Sequence, residues 1–371
     1  MKYYLIAGEA SGDLHGSNLI KELKKLDASA NIRCWGGDLM QQSGATLVKH
    51  YRSLAFMGFA EVVMNLRTIF KNLAFCKEDI TEFQPDVLVL IDYPGFNLRS
   101  AEWAKQQGIK VVYYISPQVW AWKENRVKKM KKCIDKMLVI LPFEKDYYKT
   151  RWNWEVEYVG HPLVEVIDDY KLNNNIPDND KINQPIIALL PGSRKQEILK
   201  KLPVMLEVSK SFPQYQFVVA QAPGQDDEFY KGMLLPYSNV SSVKNNTYHL
   251  LLQSTAALVT SGTATLETAL FGVPEVVCYK GSSISYQIAK RLLTIKYISL
   301  VNLIMNKFVV KELIQNELTV ENLQKELSLI LTDNRRISEI KTDYADLKKL
   351  LSEGGDASAK AAKTIYDFTI L

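Results

Sequence analysis

Cysteine is scarce and scattered. Cys34, Cys76, Cys133 and Cys278 form no CxxC pair and no tight spacing, a pattern of reduced thiols rather than a disulfide scaffold. The four histidines, His15, His50, His161 and His249, show no zinc-ligand spacing. No run of about 18 uninterrupted apolar residues exists, so no segment reads as a membrane span. The opening residues 1–7 are apolar only briefly, too short for a signal-peptide core, and read as a first β-strand. Charge of one sign is also lacking: 46 basic against 41 acidic side chains leave a net +5. That balance gives no argument for nucleic acid, yet suits an anionic lipid surface or a phosphorylated ligand. Three nucleotide or nucleophile loops are missing as well. Gly8-Glu9-Ala10-Ser11-Gly12-Asp13 is neither a Walker A loop, nor GxGxxG, nor GxSxG, which removes support from ATPase, NAD-dehydrogenase and serine-esterase readings. A cytoplasmic protein is the expectation.

What is present is length for two ordinary cores, with 47% of the 371 residues hydrophobic. Apolar, β-branched runs recur at Tyr3–Ala7, Val87–Ile91, Lys110–Ile115, Met137–Leu141, Ile186–Leu190, Gln216–Ala220, Ala256–Thr260 and Glu275–Tyr279. Helix-like stretches separate them. Strands apolar on both faces, alternating with helices, predict doubly wound α/β topology around parallel sheets. The Asn/Asp-rich stretch from Asp168 lacks periodicity. It predicts a linker over 168–184, between an N-terminal domain at 1–167 and a second domain at 185–349. Both halves restart with a strand, a Gly/Ser loop and a helix, an echo of two Rossmann-like units. The chain is helical again from Asn334, and a final helix over about 350–371 is expected to pack back on the first domain.

Ligands of open parallel sheets sit at the carboxyl ends of strands. The strand Val87–Ile91 runs into Asp92-Tyr93-Pro94-Gly95-Phe96-Asn97. A carboxylate there is partly desolvated and suited to accept a proton, or else it caps the following helix. Leu190-Pro191-Gly192-Ser193-Arg194-Lys195 is a strand and a tight turn whose N–H groups and guanidinium suit a diphosphate. Ser261-Gly262-Thr263 opens a helix closed by Gly272 and Pro274, with Glu267 one turn on and placed for ribose hydroxyls. Asp178-Asn179-Asp180 resembles an acidic metal triplet but reads as loop. No metal and no cofactor are expected.

The segment Leu54–Lys71 is rich in large apolar groups. Phe59, Val62, Val63, Leu66, Ile69, Phe70 and Leu73 share one helical face, the pattern of a core stripe. Phe56, Met57 and Met64 fall outside it, a surplus that suits lipid contact. The run Lys123–Lys132 reads as a solvated helix face that could also meet anionic headgroups.

Taken together these blocks resemble the lipid-A-disaccharide synthase family. The match runs through Gly8–Asp13, Met57–Val62, Ile91–Asn97, Tyr114–Trp122, Leu141–Glu144, Val159–Pro162, Leu189–Arg194, Ser261–Glu267, Ala289–Leu292 and Tyr297–Leu303. The resemblance implies a GT-B-like fold, with two Rossmann-like parallel-sheet domains facing a cleft. It implies an inverting, metal-independent hexosyltransferase that joins UDP-2,3-diacylglucosamine to 2,3-diacylglucosamine 1-phosphate in a β-1,6 link and releases UDP. Asp92 would take the proton from the acceptor 6-hydroxyl, and Arg194 would meet charge on the departing diphosphate. Gly192, Ser193, Ser261, Gly262, Thr263, Glu267 and Asn302 would hold the UDP-sugar. Glu9, Ser11 and Asp13 would line the acceptor side, and Phe56, Met57, Phe59 and Met64 would contact acyl chains or membrane. Gly95 stands where some relatives carry a second acidic residue, leaving Asp92 the sole carboxylate there; Val301 stands where a proline often precedes the asparagine. The implied setting is the cytoplasmic surface of the inner membrane, with a homodimer as the assembly considered and no nucleic acid. The rival reading is a UDP-N-acetylglucosamine 2-epimerase, which shares the fold and the phosphate logic.

Overall fold

The computed structural model describes residues 1–53, 66–174, 184–222, 225–281 and 296–371. They form two compact units, Met1–Pro162 with Leu351–Leu371, and Leu163–Leu350.

The first unit is built on β1 (Lys2–Ala7), β2 (Asn31–Gly36), β3 (Thr46–His50), β4 (Val87–Ile91), β5 (Lys110–Tyr114), β6 (Lys136–Val139) and β7 (Glu157–Tyr158). All are parallel, in the order β3-β2-β1-β4-β5-β6-β7. Every residue of β4 is buried, as a strand covered on both faces must be. Tyr4, Trp35, Tyr113 and Tyr148 fill the core beside the aliphatic residues. Strand order reverses between β1 and β4, so the loops after Ala7 and Ile91 leave the sheet side by side. Ala7 stands opposite Ile91 in the ladder.

The final helix, Ala357–Ile370, belongs to this unit. It buries Ala357, Ala361, Ala362 and Ile365 and packs on the helix Ala10–Leu26. Asp356 caps it by accepting from the Ala359 N–H at 2.8 Å. Lys110 closes its other end, donating to the Phe368 and Thr369 carbonyls at 3.1 and 3.0 Å. The approach needs glycine: a Cβ on Gly354 would stand 2.1 Å from the Gly160 nitrogen.

The second unit carries β8 (Ile186–Leu190), β9 (Gln216–Gln221), β10 (Val240–Lys244), β11 (Ser254–Thr260), β12 (Glu275–Tyr279) and β13 (Lys311–Ile314). They are again parallel, in the order β10-β9-β8-β11-β12-β13, with the reversal between β8 and β11. Leu190 pairs with Val259 at that point, bringing the Gly192 turn beside the Ser261 turn.

Three expectations change. Asp168–Asn173, assigned to the linker, continues the helix Pro162–Asn173, and the units exchange at Pro162 and Leu163. Phe70, placed on the core stripe, is 56% exposed, whereas Leu73 is buried. The helix there runs Leu66–Phe83, and its buried side is carried by Leu73, Cys76 and Ile80. Asp92 is not a cap: the N-cap of the helix Pro94–Gln106 is Tyr93. The Asp178-Asn179-Asp180 triplet lies outside the described residues.

Candidate active site

Two strand-end sites carry the polar side chains singled out above, one in each unit. In the first, Asp92 follows the last residue of β4 with φ 44°, and Tyr93 follows with φ 47°. Two successive non-glycine residues in the left-handed region cost about 1–2 kcal/mol each, so neighbours must hold them there. Asn97 does so from the next helix. Its buried amide donates to the carbonyls of Asp92, Ile91 and Ile6 at 2.8, 3.2 and 3.3 Å. The Tyr113 hydroxyl also donates to the Asp92 carbonyl, and the Asp92 N–H donates to the Tyr114 carbonyl at 3.1 Å. The Tyr93 ring lies on Gly8, where any Cβ would stand 2.3 Å from the ring.

The backbone of Asp92 is thus held while its carboxylate is left to chemistry. Burial, and secondly the nearby Glu9 carboxylate, raise its pKa to about 7. A base with that pKa is half ionised near neutral pH. Glu9 is exposed at the N-cap of the helix Ala10–Leu26, and Ser11 is exposed within its first turn. Nearby is a buried acid that sequence reasoning left without a role. Glu144 accepts from the Leu141 N–H and from Trp120 Nε1, both at 3.1 Å, and burial pushes its pKa up to about 8. Asp92 adds to that rise. The Leu141–Glu144 and Tyr114–Trp122 blocks contained the signal, but only burial gives it meaning.

In the second unit the turns after β8 and β11 line a cleft of about 390 Å³. Gly192, Ser193, Arg194, Ser261, Gly262, Thr263 and Glu267 all face it, joined by Glu197, Thr247 and Thr260. Thr263 starts a helix whose first N–H groups have no partner within it, directed at the cleft with the positive end of the helix dipole. Ser261 fixes its turn by donating to the Ile298 carbonyl at 2.8 Å. Arg194 is 62% exposed and held by Glu197 Oε1 at 3.3 Å. Glu267 accepts from the Tyr248 hydroxyl at 3.0 Å, and burial raises its pKa. Such a cleft offers amides and a guanidinium to phosphate and a carboxylate to hydroxyl groups. Among the described residues no group of three or more His, Cys, Asp or Glu is arranged to hold a metal ion.

Residues 3–365 match the family model for lipid-A-disaccharide synthetase. The lipid-A-disaccharide synthase of Geobacter metallireducens is 37% identical over 95% of this chain and 93% of its own. That of Syntrophus aciditrophicus is 36% identical over 97% and 96%. The chain belongs to the lipid-A-disaccharide synthase family. Solved structures add the fold alone. A UDP-GlcNAc 2-epimerase from Neisseria meningitidis, bound to UDP-GlcNAc, has a TM-score of 0.68 at 13% identity, with both chains fully covered. The calicheamicin glycosyltransferase CalG4 has 0.64 at 15%, over 99% of this chain and 98% of that one. These are α/β glycosyltransferase and epimerase folds of the GT-B-like class expected.

For a synthase-family member, two of the expected site residues have other work here. The Asn302 side chain is fully buried. Its Nδ2 donates to the Val310 carbonyl and to Glu312 Oε1, both at 2.9 Å, and its Oδ1 accepts from the Val309 and Val310 N–H groups at 2.8 and 2.9 Å. Every hydrogen-bonding position of the amide is thus used within the fold, so Asn302 builds the loop beside Ser261 rather than offering itself to a sugar. Asp13 is likewise buried. It accepts from the backbone N–H groups of Gly37, Leu39 and Met40 at 2.7, 3.2 and 3.0 Å, anchoring the turn after β2. Phe56, Met57, Phe59 and Met64, and the Ala289–Leu292 block, lie outside the described residues.

Proposed function

We propose that the protein transfers a 2,3-diacylglucosaminyl group from its UDP ester to the 6-hydroxyl of 2,3-diacylglucosamine 1-phosphate, forming a β-1,6 link and releasing UDP. The observation that carries this reading is Asp92, a half-buried carboxylate with its pKa raised to about 7, in a chain of this family. Its backbone is held by Asn97 and Tyr113, which fixes where the side chain leaves the main chain. In the reaction Asp92 accepts the hydroxyl proton as the acceptor oxygen attacks the anomeric carbon. The bond from that carbon to the UDP oxygen breaks on the opposite face, and the configuration inverts. Negative charge then grows on the diphosphate. Arg194 and the N–H groups at the start of the helix Thr263–Phe271 meet it in the cleft, a task often given to a metal ion. No metal is required on this reading. Gly192 and Ser193 form the other wall of the phosphate site, and Glu267 takes the ribose hydroxyls.

Acylated substrates set the location. On the strength of those substrates we assign the enzyme to the cytoplasmic surface of the inner membrane; no helix among the described residues is long and apolar enough to cross a membrane. Flotation with anionic vesicles checks that assignment, and the mass in solution tells a monomer from a homodimer.

The deciding experiment supplies both acylated glucosamine substrates and follows disaccharide and UDP with and without chelator. Equal rates are expected. Loss of activity that added Mg²⁺ restores would overturn metal independence. Absence of disaccharide, with conversion of UDP-N-acetylglucosamine to its 2-epimer, would replace the reading with the epimerase one.

A further inference from the structure

Behind the wall of the cleft in the second unit, against the lining residue Thr260, lies a buried cation. Lys201, on the helix Lys195–Ser209, is 3% exposed. Its ammonium hydrogen-bonds to Thr260 Oγ1 at the end of β11. Glu197 Oε2 stands 3.8 Å away, while the other oxygen of that carboxylate holds Arg194. One half-exposed carboxylate therefore serves two cations, and the cluster has positive charge to spare. Among the described residues, the buried Cys278 thiol of β12 also acts on Lys201. A buried ammonium with so little compensation is costly unless the site is completed by an anion. Lys201 also lies close behind the cleft wall: a Cβ on Gly192 would be 3.4 Å from its Nζ and 2.8 Å from Glu197 Oε2.

We propose that Lys201 is the concealed cation of the diphosphate subsite, acting on a bound nucleoside diphosphate through the hydroxyl of Thr260. A hydroxyl has one proton and two acceptor positions. By donating to Thr260 Oγ1, Lys201 turns the hydroxyl proton away from itself and toward the cleft that Thr260 lines. Thr260 then donates to a phosphate oxygen, in a chain that the ammonium polarises. Lys201 is thus a positioning residue that touches Thr260 and not the ligand. Burial lowers its pKa, with Arg194 assisting and Glu197 and Cys278 opposing. An arriving anion favours the protonated form.

The inference rests on the diphosphate reading of the cleft, and calorimetric titration with UDP and with uridine separates the two. At about pH 7, Lys201→Met is expected to weaken UDP by roughly 10-fold or more, the effect of one hydrogen bond to a charged group, and to leave uridine unchanged. As pH rises through the lysine's lowered pKa, the ammonium loses its proton. Wild-type affinity for UDP should then fall toward that of Lys201→Met as the pH is raised toward the ordinary lysine range. Lys201→Arg, which stays charged, should retain UDP binding across that range. Thr260→Val removes the relay while keeping the lysine itself and should match Lys201→Met, which keeps the test decisive if the methionine variant folds poorly. Wild-type UDP affinity in both variants would overturn the role of Lys201 alone. A wild-type protein that fails to bind UDP would overturn the diphosphate reading and this inference together.

Discussion

The two strand-end sites are built by the same topological rule and made opposite in character. In the first unit the loop after β4 holds its backbone under strain, encloses a carboxylate and surrounds it with other acids, Glu9 and Glu144. In the second, the loops after β8 and β11 are open, rich in glycine and hydroxyls, and lined by amides and a guanidinium. A proton acceptor needs desolvation and like charge to raise its pKa, whereas a diphosphate site needs unpaired donors and access. One sheet architecture supplies either, depending on whether the turn hides a carboxylate or presents its N–H groups.

Exchanging or deleting the groups that make this contrast tests it. The largest effect is expected for Arg194→Ala, which should lower turnover by roughly 10²–10³-fold, the scale of losing one donor to developing charge. Steady-state kinetics at saturating substrates check it, and a near-normal rate would leave the diphosphate to the helix end alone. Asp92→Asn should fold as the wild type and cost about 10²-fold or more, a general-base effect. Full turnover in that variant would remove Asp92 from the chemistry. Asn302→Ala and Asp13→Ala should act on the fold, each costing roughly 2–3 kcal/mol because buried N–H or carbonyl groups lose their partners. Chemical denaturation measures this, and a stable Asp13→Ala protein with a raised acceptor KM would return Asp13 to the substrate.

Subtler is the pH dependence. A base with its pKa raised to about 7 is protonated and inactive below it, so kcat/KM should rise with pH through about 7. The smallest effect is that of Glu9→Gln. Removing that exposed charge should move this limb down by about a few tenths of a pH unit, less at high salt. No movement at low salt would leave burial as the only cause.

Much of this was legible beforehand because parallel strands buried on both faces are continuous apolar runs. β1, β4, β8, β11 and β12 announce themselves, and so does the family through its blocks. The strands missed are those that depart from that pattern. β3 and β10 are edge strands whose residues are half-buried or exposed and never fully buried. β2 carries Arg33, which pairs with Asp79 at 2.8 Å. β13 carries Glu312, buried because it accepts from the N–H groups of Ile298 and Ser299. The candidate site divides the same way. Asp92 and Arg194 are conspicuous as polar residues at the ends of apolar strands. Glu144 and Lys201 are ordinary helix residues in sequence, and only the depth at which tertiary packing sets them makes them chemical. Asn302 is the reverse case: a polar residue in a matched block reads as a ligand contact until its four hydrogen bonds are counted.

The first unit is discontinuous, closed by a helix that follows the whole of the second unit along the chain. Until Ala357–Ile370 emerges, the face of the helix Ala10–Leu26 that it covers has no partner. The N-terminal half, though synthesised first, must wait through some 190 residues of the other unit before it is complete. Removing Ala357–Ile370 would therefore damage the unit that carries Asp92 and leave the unit that carries Arg194 with its own sheet whole.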